Sequence, residues 1–222
     1  MPKRVFISHS TEDLAVAIDV RALLQKFGIE GFVAHVDIEL SQDWVARIID
    51  SLRRCHGLIY ILSKSSQNSD WTDQEAGFAL EREIPVIPLS IGEKPWGFVS
   101  RYQAKRWNVL ASEDEYSRLK PNARTLGVAL VETRLMTLNE LIRLFGSSTA
   151  YKEAILRQVV LDRVEGFSFS QVGWILELVA ANKNLYNCTP VRNWIPRLVK
   201  ENRGAVSYQS RARLVNVGIK IS

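Results

Sequence analysis

Two cysteines in 222 residues, Cys55 and Cys188, lie far apart and make no ligand spacing. Their scarcity suits a reducing, cytoplasmic setting. No run of about 18 apolar residues occurs, which excludes a membrane-spanning helix. Met1-Pro2-Lys3-Arg4 passes into a strand pattern too soon for the apolar region of a signal peptide, so no secretory leader is expected. A phosphate-binding GxxxxGK[ST] loop, zinc-finger spacing, internal repeats and low-complexity tracts are also missing. What remains is a chain with 46% hydrophobic residues, able to bury a substantial core and long enough for one full domain and a smaller one.

Charge divides the chain unevenly. Residues 1–136 carry 17 Lys and Arg against 18 Asp and Glu, whereas residues 137–222 carry 12 against 6. The end of the chain holds Arg203, Arg211, Arg213 and Lys220 with no acid. Such a patch suits nucleic acid or an acidic protein, and equally a solubilising surface.

The first region alternates strand and helix patterns. Val5-Phe6-Ile7 is a short apolar strand that runs into the polar turn Ser8-His9-Ser10-Thr11. A helical face then follows at Leu14, Ala17, Ile18, Ala22 and Leu23. Gly31 to His35 reads as a second strand, and Trp44 to Cys55 as an amphipathic helix with Val45, Ile48, Ile49 and Leu52 inward. Gly57 to Leu62 is a third strand and Ile84 to Leu89 a fourth. Strands alternating with helices at this spacing predict an α/β fold, a parallel sheet with helices on both faces. Ligands bind such sheets at the carboxyl ends of the strands, where Ser8, Asp37 and the loop before Trp71 fall.

Between the third and fourth strands, Ser69-Asp70-Trp71-Thr72-Asp73-Gln74-Glu75 opens a further helix. Trp71 and Glu75, at i and i+4, share one face of it. An aromatic face that can stack on a ring, beside a carboxylate that can hold hydroxyls or a developing cation, makes a candidate nucleotide site. On the pair alone, a packed indole and a solvated acid remain the alternative.

Several motifs agree in one frame. Val5-Phe6-Ile7-Ser8-His9-Ser10, the stretch from Gly31 to Asp37, Ser63 and Ser69 to Glu75 together resemble a bacterial TIR (Toll/interleukin-1 receptor) domain. Pro85-Val86-Ile87-Pro88, Trp96-Gly97-Phe98 and Gln103-Ala104 fit the same frame. The resemblance covers roughly residues 3–110, with a last TIR helix expected at 122–135. It implies a flavodoxin-like sheet, a TIR domain over residues 1–136 and a helical accessory region over 137–222.

The resemblance also implies an activity. TIR enzymes break the nicotinamide–ribose bond of NAD, with the catalytic Glu at the position of Glu75. NAD is then a substrate, and no cofactor or metal is expected. The nicotinamide is already a cationic leaving group, so the barrier lies in charge spreading over the ribose, which one fixed carboxylate can stabilise. With no fused sensor or pore recognisable, the expected setting is prokaryotic antiphage defence of the Thoeris type. There a cyclic ADP-ribose-like product would signal to a separate effector protein. Self-association through TIR domains and a phage-derived trigger are also expected, the trigger a protein rather than nucleic acid. A non-catalytic scaffold acting through TIR–TIR contacts is the alternative from another class, and ribosyl transfer to an added base is a third.

The remaining site residues are softer. Trp71 is expected at the substrate. Phe6 resembles a first-strand aromatic near the family's substrate, and a core phenylalanine fits it almost as well. Ser8 and His9 end the first strand within reach of phosphate or ribose; a loop histidine bonded to the backbone is the alternative for His9. Asp37 matches an acid that approaches the ribose, and an ordinary loop cap fits equally. Trp44 is expected to pack in the core or an interface, outside the pocket, and His35 and His56 are expected to be structural. The loop Ile38 to Asp43 lacks the Pro-Gly turn of many relatives. In TIR enzymes this loop reaches a neighbouring subunit, so the isolated monomer is expected to be nearly inactive.

Beyond residue 137 the pattern is helical: 138–145 ending at Gly146, 154–164 ending at Gly166, 172–180 after Ser170, and 191–202 opened by Thr189-Pro190. Pro196 is expected to bend or shorten the last of these. Residues 206–221 fit a short strand or a hairpin.

Overall fold

Five parallel strands in the order β2-β1-β3-β4-β5 form the sheet of a computed structural model that describes residues 2–37 and 43–221. The chain divides into two compact units, Met1–Leu135 and Met136–Ser222.

In the first unit β1 (Arg4–Ser8) leads through a 3-10 turn at Thr11–Asp13 into α1 (Leu14–Lys26), then to β2 (Glu30–Phe32) and α2 (Ala34–Asp37). Next come α3 (Trp44–Arg54), β3 (Gly57–Leu62), α4 (Lys64–Gln67), α5 (Asp70–Glu81) and β4 (Val86–Ser90). A 3-10 turn at Gly97–Arg101, β5 (Lys105–Arg106) and α6 (Glu115–Glu132) complete it. β1 and β3 are central and read as unbroken apolar runs, because helices cover both faces of a parallel sheet. All six residues of β3 are buried. Phe6, Phe32, Leu58, Tyr60 and Leu62 pack with Ala76 and Ala79 of α5 and with Ile48 and Leu52 of α3. Gly57 opens β3 because a Cβ there would come within 2.7 Å of the Leu135 side chain.

Several expected boundaries moved. The second strand stops at Phe32, and Ala34 to Asp37 turn helical because the Asp37 carboxylate accepts the Val33 N–H at 2.7 Å. The last helix of the unit starts at Glu115, where Asp114 accepts the Ser117 N–H at 2.8 Å, and it runs through Pro121. β5 is two residues long, too short to leave a hydrophobic period.

The second unit contains α7 (Leu138–Gly146), α8 (Tyr151–Leu161), α9 (Phe169–Ala181), α10 (Lys183–Tyr186), α11 (Thr189–Glu201) and α12 (Tyr208–Asn216). Reciprocal caps start α7 (Thr137 with Glu140) and α9 (Ser168 with Gln171). Its core includes Leu141, Phe145, Leu176, Val179, Trp194 and Ile195, with the Phe145 and Trp194 rings edge to face at 6.0 Å. α11 continues through Pro196 to Glu201 rather than ending early. Residues 208–216 are helical, neither strand nor hairpin. Ser207 caps the turn by accepting the Ser210 N–H at 3.0 Å, and Leu214 is fully buried. Among the described residues, no helix is long and apolar enough to cross a membrane.

A candidate active-site cleft where the sheet changes direction

From β1 the chain crosses to β2 on one side, and later to β3 on the other. The connections leaving the carboxyl ends of β1 and β3 therefore part, which opens a crevice there. A cleft of about 820 Å³ occupies this place. Ile7, His9, Ser10 and Glu12 line it from the end of β1, Trp44 and Ile48 from α3, and Lys64, Ser65 and Asn68 from the end of β3. Asp70, Trp71 and Glu75 of α5 form a further wall.

A carboxylate joins the two strand ends beneath the cleft. Asp13 accepts hydroxyl hydrogen bonds from Ser10 and Ser63, each at 2.5 Å, through one oxygen. Ser63 also caps α4 reciprocally with Ser66, and Ser65 donates to Glu12. This short-range hydroxyl network fixes where each strand hands over to its loop.

α5 is fixed from its far side. Thr72 donates to the carbonyls of Ser66 (2.8 Å) and Ser69 (2.9 Å). Asp73 accepts from the Tyr60 hydroxyl at 2.7 Å and from the Trp96 indole N–H at 2.9 Å. With Thr72 and Asp73 held, the rotation of the helix is set. Trp71 stands at the cleft 47% exposed, and Glu75 turns inward at 6%.

Burial is the leading influence on Glu75. It pushes the carboxyl up to about 7, against the opposing pull of the neighbouring Ser8 hydroxyl, and no cation among the described residues contributes. A buried acid in this condition is unusual for a structural role and common at working sites. Its carboxyl can exist in either protonation state near neutrality, in a cleft whose mouth carries a flat aromatic surface.

The predicted site residues separate in three dimensions. Trp71, Glu75 and His9 meet in the cleft, with the His9 Nδ1 3.0 Å from the Ile7 carbonyl. Ser8 lies beside Glu75 with no surface exposed, behind the cleft wall. Phe6 is a core residue, 1% exposed, its ring 5.3 Å from that of Phe32, and does not line the cleft. Asp37 is engaged away from the cleft, by the Val33 N–H and by Arg21 at 2.9 Å. His56 accepts the Arg4 N–H at 3.1 Å and is structural. Residues 38–42 of the loop expected to reach a neighbour, and the His35 side chain, lie outside the described residues.

Trp44 departs from expectation. It packs against the core and also lines the cleft, because α3 begins at Trp44, beside the mouth. Asp13 and Lys64 escaped the sequence reading, and Ser63, there a motif residue closing the third strand, gave no sign of its bond to Asp13. The polar run Ser10 to Asp13, followed much later by Ser63 at a strand end, was the only signal for that bond. Among the described residues, no three His, Cys, Asp or Glu side chains cluster closely enough to hold a metal ion.

No curated protein matches the chain. One similar solved structure is the TIR domain of the Toll-related receptor TRR-2 from the lower metazoan Hydra magnipapillata. It is 19% identical, covers 46% of this chain and 82% of that one, and has a TM-score of 0.42. The TIR domain family itself matches residues 5–120, just over half of the sequence. The chain belongs to the TIR domain family.

Proposed function

We propose that this protein cleaves the nicotinamide–ribose bond of NAD, with Glu75 as the catalytic carboxylate and Trp71 as a stacking surface for a ring of the substrate. The observation that carries the reading is Glu75 itself: 6% exposed, opening onto the cleft beside Trp71, and stabilised by no cation among the described residues. A buried acid of this kind favours a positively charged guest. The nicotinamide ring of NAD is cationic, so binding draws the Glu75 proton off into the cleft and leaves the carboxylate that bond breaking requires. As the bond to nicotinamide breaks, its electron pair leaves with the base and positive charge spreads over the ribose, beside the carboxylate. Capture by water gives ADP-ribose and a proton; capture by a group of the same molecule gives a ring.

The product assigned is a cyclic ADP-ribose-like signal acting on a separate effector in prokaryotic antiphage defence, with the enzyme cytoplasmic and active in a self-associated state. His9 contacts the ribose or phosphate from the end of β1. The test follows nicotinamide release by chromatography, for purified protein over a range of concentrations and for protein from infected cells. Release that depends on Glu75 supports the reading; equal release from Glu75→Ala overturns it.

A second reading, a scaffold without catalysis, is favoured by one observation. Phe98 is 81% exposed on the 3-10 turn beside α5, with shallow grooves lined by Gly77 on either side of it. A defence phenotype that survives Glu75→Gln and disappears with Phe98→Ser would establish that reading instead.

A further inference from the structure

Ser8 was expected at the substrate, yet it has no exposed surface. Its hydroxyl is a buried polar group with no hydrogen-bond partner of good geometry, a rare and costly condition. Beside it is Glu75, whose ionised form that same hydroxyl favours. The two come together because β1 ends at Ser8, level with Tyr60 of β3, directly beneath α5. An unsatisfied donor next to an acid without a cation makes one two-state pair.

We propose that Ser8 is the positioning residue of Glu75: its hydroxyl turns to donate to the carboxylate when Glu75 ionises, and so fixes the acid's direction and the ease with which it ionises. The Glu75 proton leaves through the cleft, the serine keeps its own, and the hydrogen bond replaces the water a carboxylate normally requires. A charge-assisted bond of this kind holds a carboxylate in one rotamer. The inference rests on Glu75 being the working acid of the cleft, and it assigns Ser8 to that acid rather than to the substrate.

Other groups around the acid are accounted for. His9, Glu12, Lys64 and Asp70 share the cleft with it. Tyr60, behind it, is committed to Asp73. α3 presents Trp44 and Ile48 to the cleft and keeps its Arg47, Arg53 and Arg54 outward, with Asp50 paired to Arg54 at 2.8 Å. β4 carries no titratable side chain, and Arg101 of the following 3-10 turn is bonded to Tyr102. None of these replaces a hydroxyl at Ser8.

The experiment titrates the Glu75 side-chain carboxyl by carbon-detected NMR, without substrate, with the signal assigned by its loss in Glu75→Gln. In Ser8→Ala the titration midpoint is expected to move upward by roughly half a unit to one unit; an unchanged midpoint overturns the proposal. Ser8→Cys, of similar size and a poorer donor, should move it in the same direction and serves where Ser8→Ala folds badly. A second readout is thermal stability: Ser8→Ala should lower Tm more in alkaline than in acid buffer, and this difference should vanish in a Glu75→Gln background. A pH-independent loss that persists in that background would show Ser8 to be packing alone. Because both measurements omit NAD, they remain decisive even if nicotinamide release is never observed. Where release is observed, the rising limb of kcat/KM should shift with the NMR midpoint.

Discussion

Two acids at the same end of the sheet are buried almost equally and live in opposite circumstances. Asp13, 8% exposed, receives hydrogen bonds from Ser10 and Ser63 and ties β1 to the end of β3. Glu75, 6% exposed, has among the described residues no donor committed to it, lies beside the Ser8 hydroxyl and faces the cleft. The first is a fastening; the second is the acid proposed as the reagent. Burial alone does not tell them apart; the number of donors committed to each carboxylate does, since a buried charge is stable only when its lone pairs are engaged.

The contrast is broken most severely by removing Glu75. Glu75→Ala should raise the barrier to nicotinamide release by about 4 kcal/mol or more, a loss of roughly a thousandfold, while leaving the far-ultraviolet circular dichroism unchanged. Removing the fastening should do the reverse. Asp13→Ala strands two buried hydroxyls and should cost about 3 kcal/mol of unfolding free energy, read as a lower denaturation midpoint in urea.

The same comparison has a pH form. Glu75 titrates at about 7 in the folded chain against an ordinary 4.5. Below the ordinary value both states hold the proton and folding feels nothing. Between the two values only the folded state keeps it, so stability falls as pH rises, and above about 7 the whole penalty of about 3 kcal/mol is present. Glu75→Gln should therefore raise Tm in buffer near about pH 8 and leave it unchanged near about pH 4. A stabilised but inactive variant would mark Glu75 as a site where the fold sacrifices stability for function.

Trp71→Ala should weaken substrate by about 2 kcal/mol, a roughly thirtyfold rise in KM at little change in kcat, if its exposed ring stacks on the substrate. The smallest effect is in the wild type: kcat/KM should climb about tenfold per pH unit below about 7 and then level, because that limb reports the acid of the free enzyme.

Much of this was legible in the chain. The unbroken apolar runs of β1 and β3 and the i, i+4 pairing of Trp71 with Glu75 are local patterns, and local patterns survive folding. What stayed hidden depended on distant partners. Asp13 and Ser63 are separated by 50 residues, and nothing near either announces the other. Ser8 looked available because it ends a strand, and only the packing of α5 over that end encloses it. Trp44 looked like core from its amphipathic helix, and it is; its second role comes from standing at that helix's first turn. The terminal helix α12 was obscured because its few buried positions, Ser210 and Leu214 among them, give a weak period.

The order of the strands also sets a schedule for synthesis. β1 is made first and is central, yet its pairing with β3 joins Val5 to Gly57, and with β2 joins Arg4 to Glu30. At about 5–20 residues per second, a ribosome needs roughly three to ten seconds to supply the second partner after the first strand is complete. Through that interval Val5, Phe6 and Ile7 are a sticky, unmatched edge on a nascent chain. α5 follows later still, so the cleft, whose walls run from Ile7 to Glu75, has all its residues only after β3 is paired.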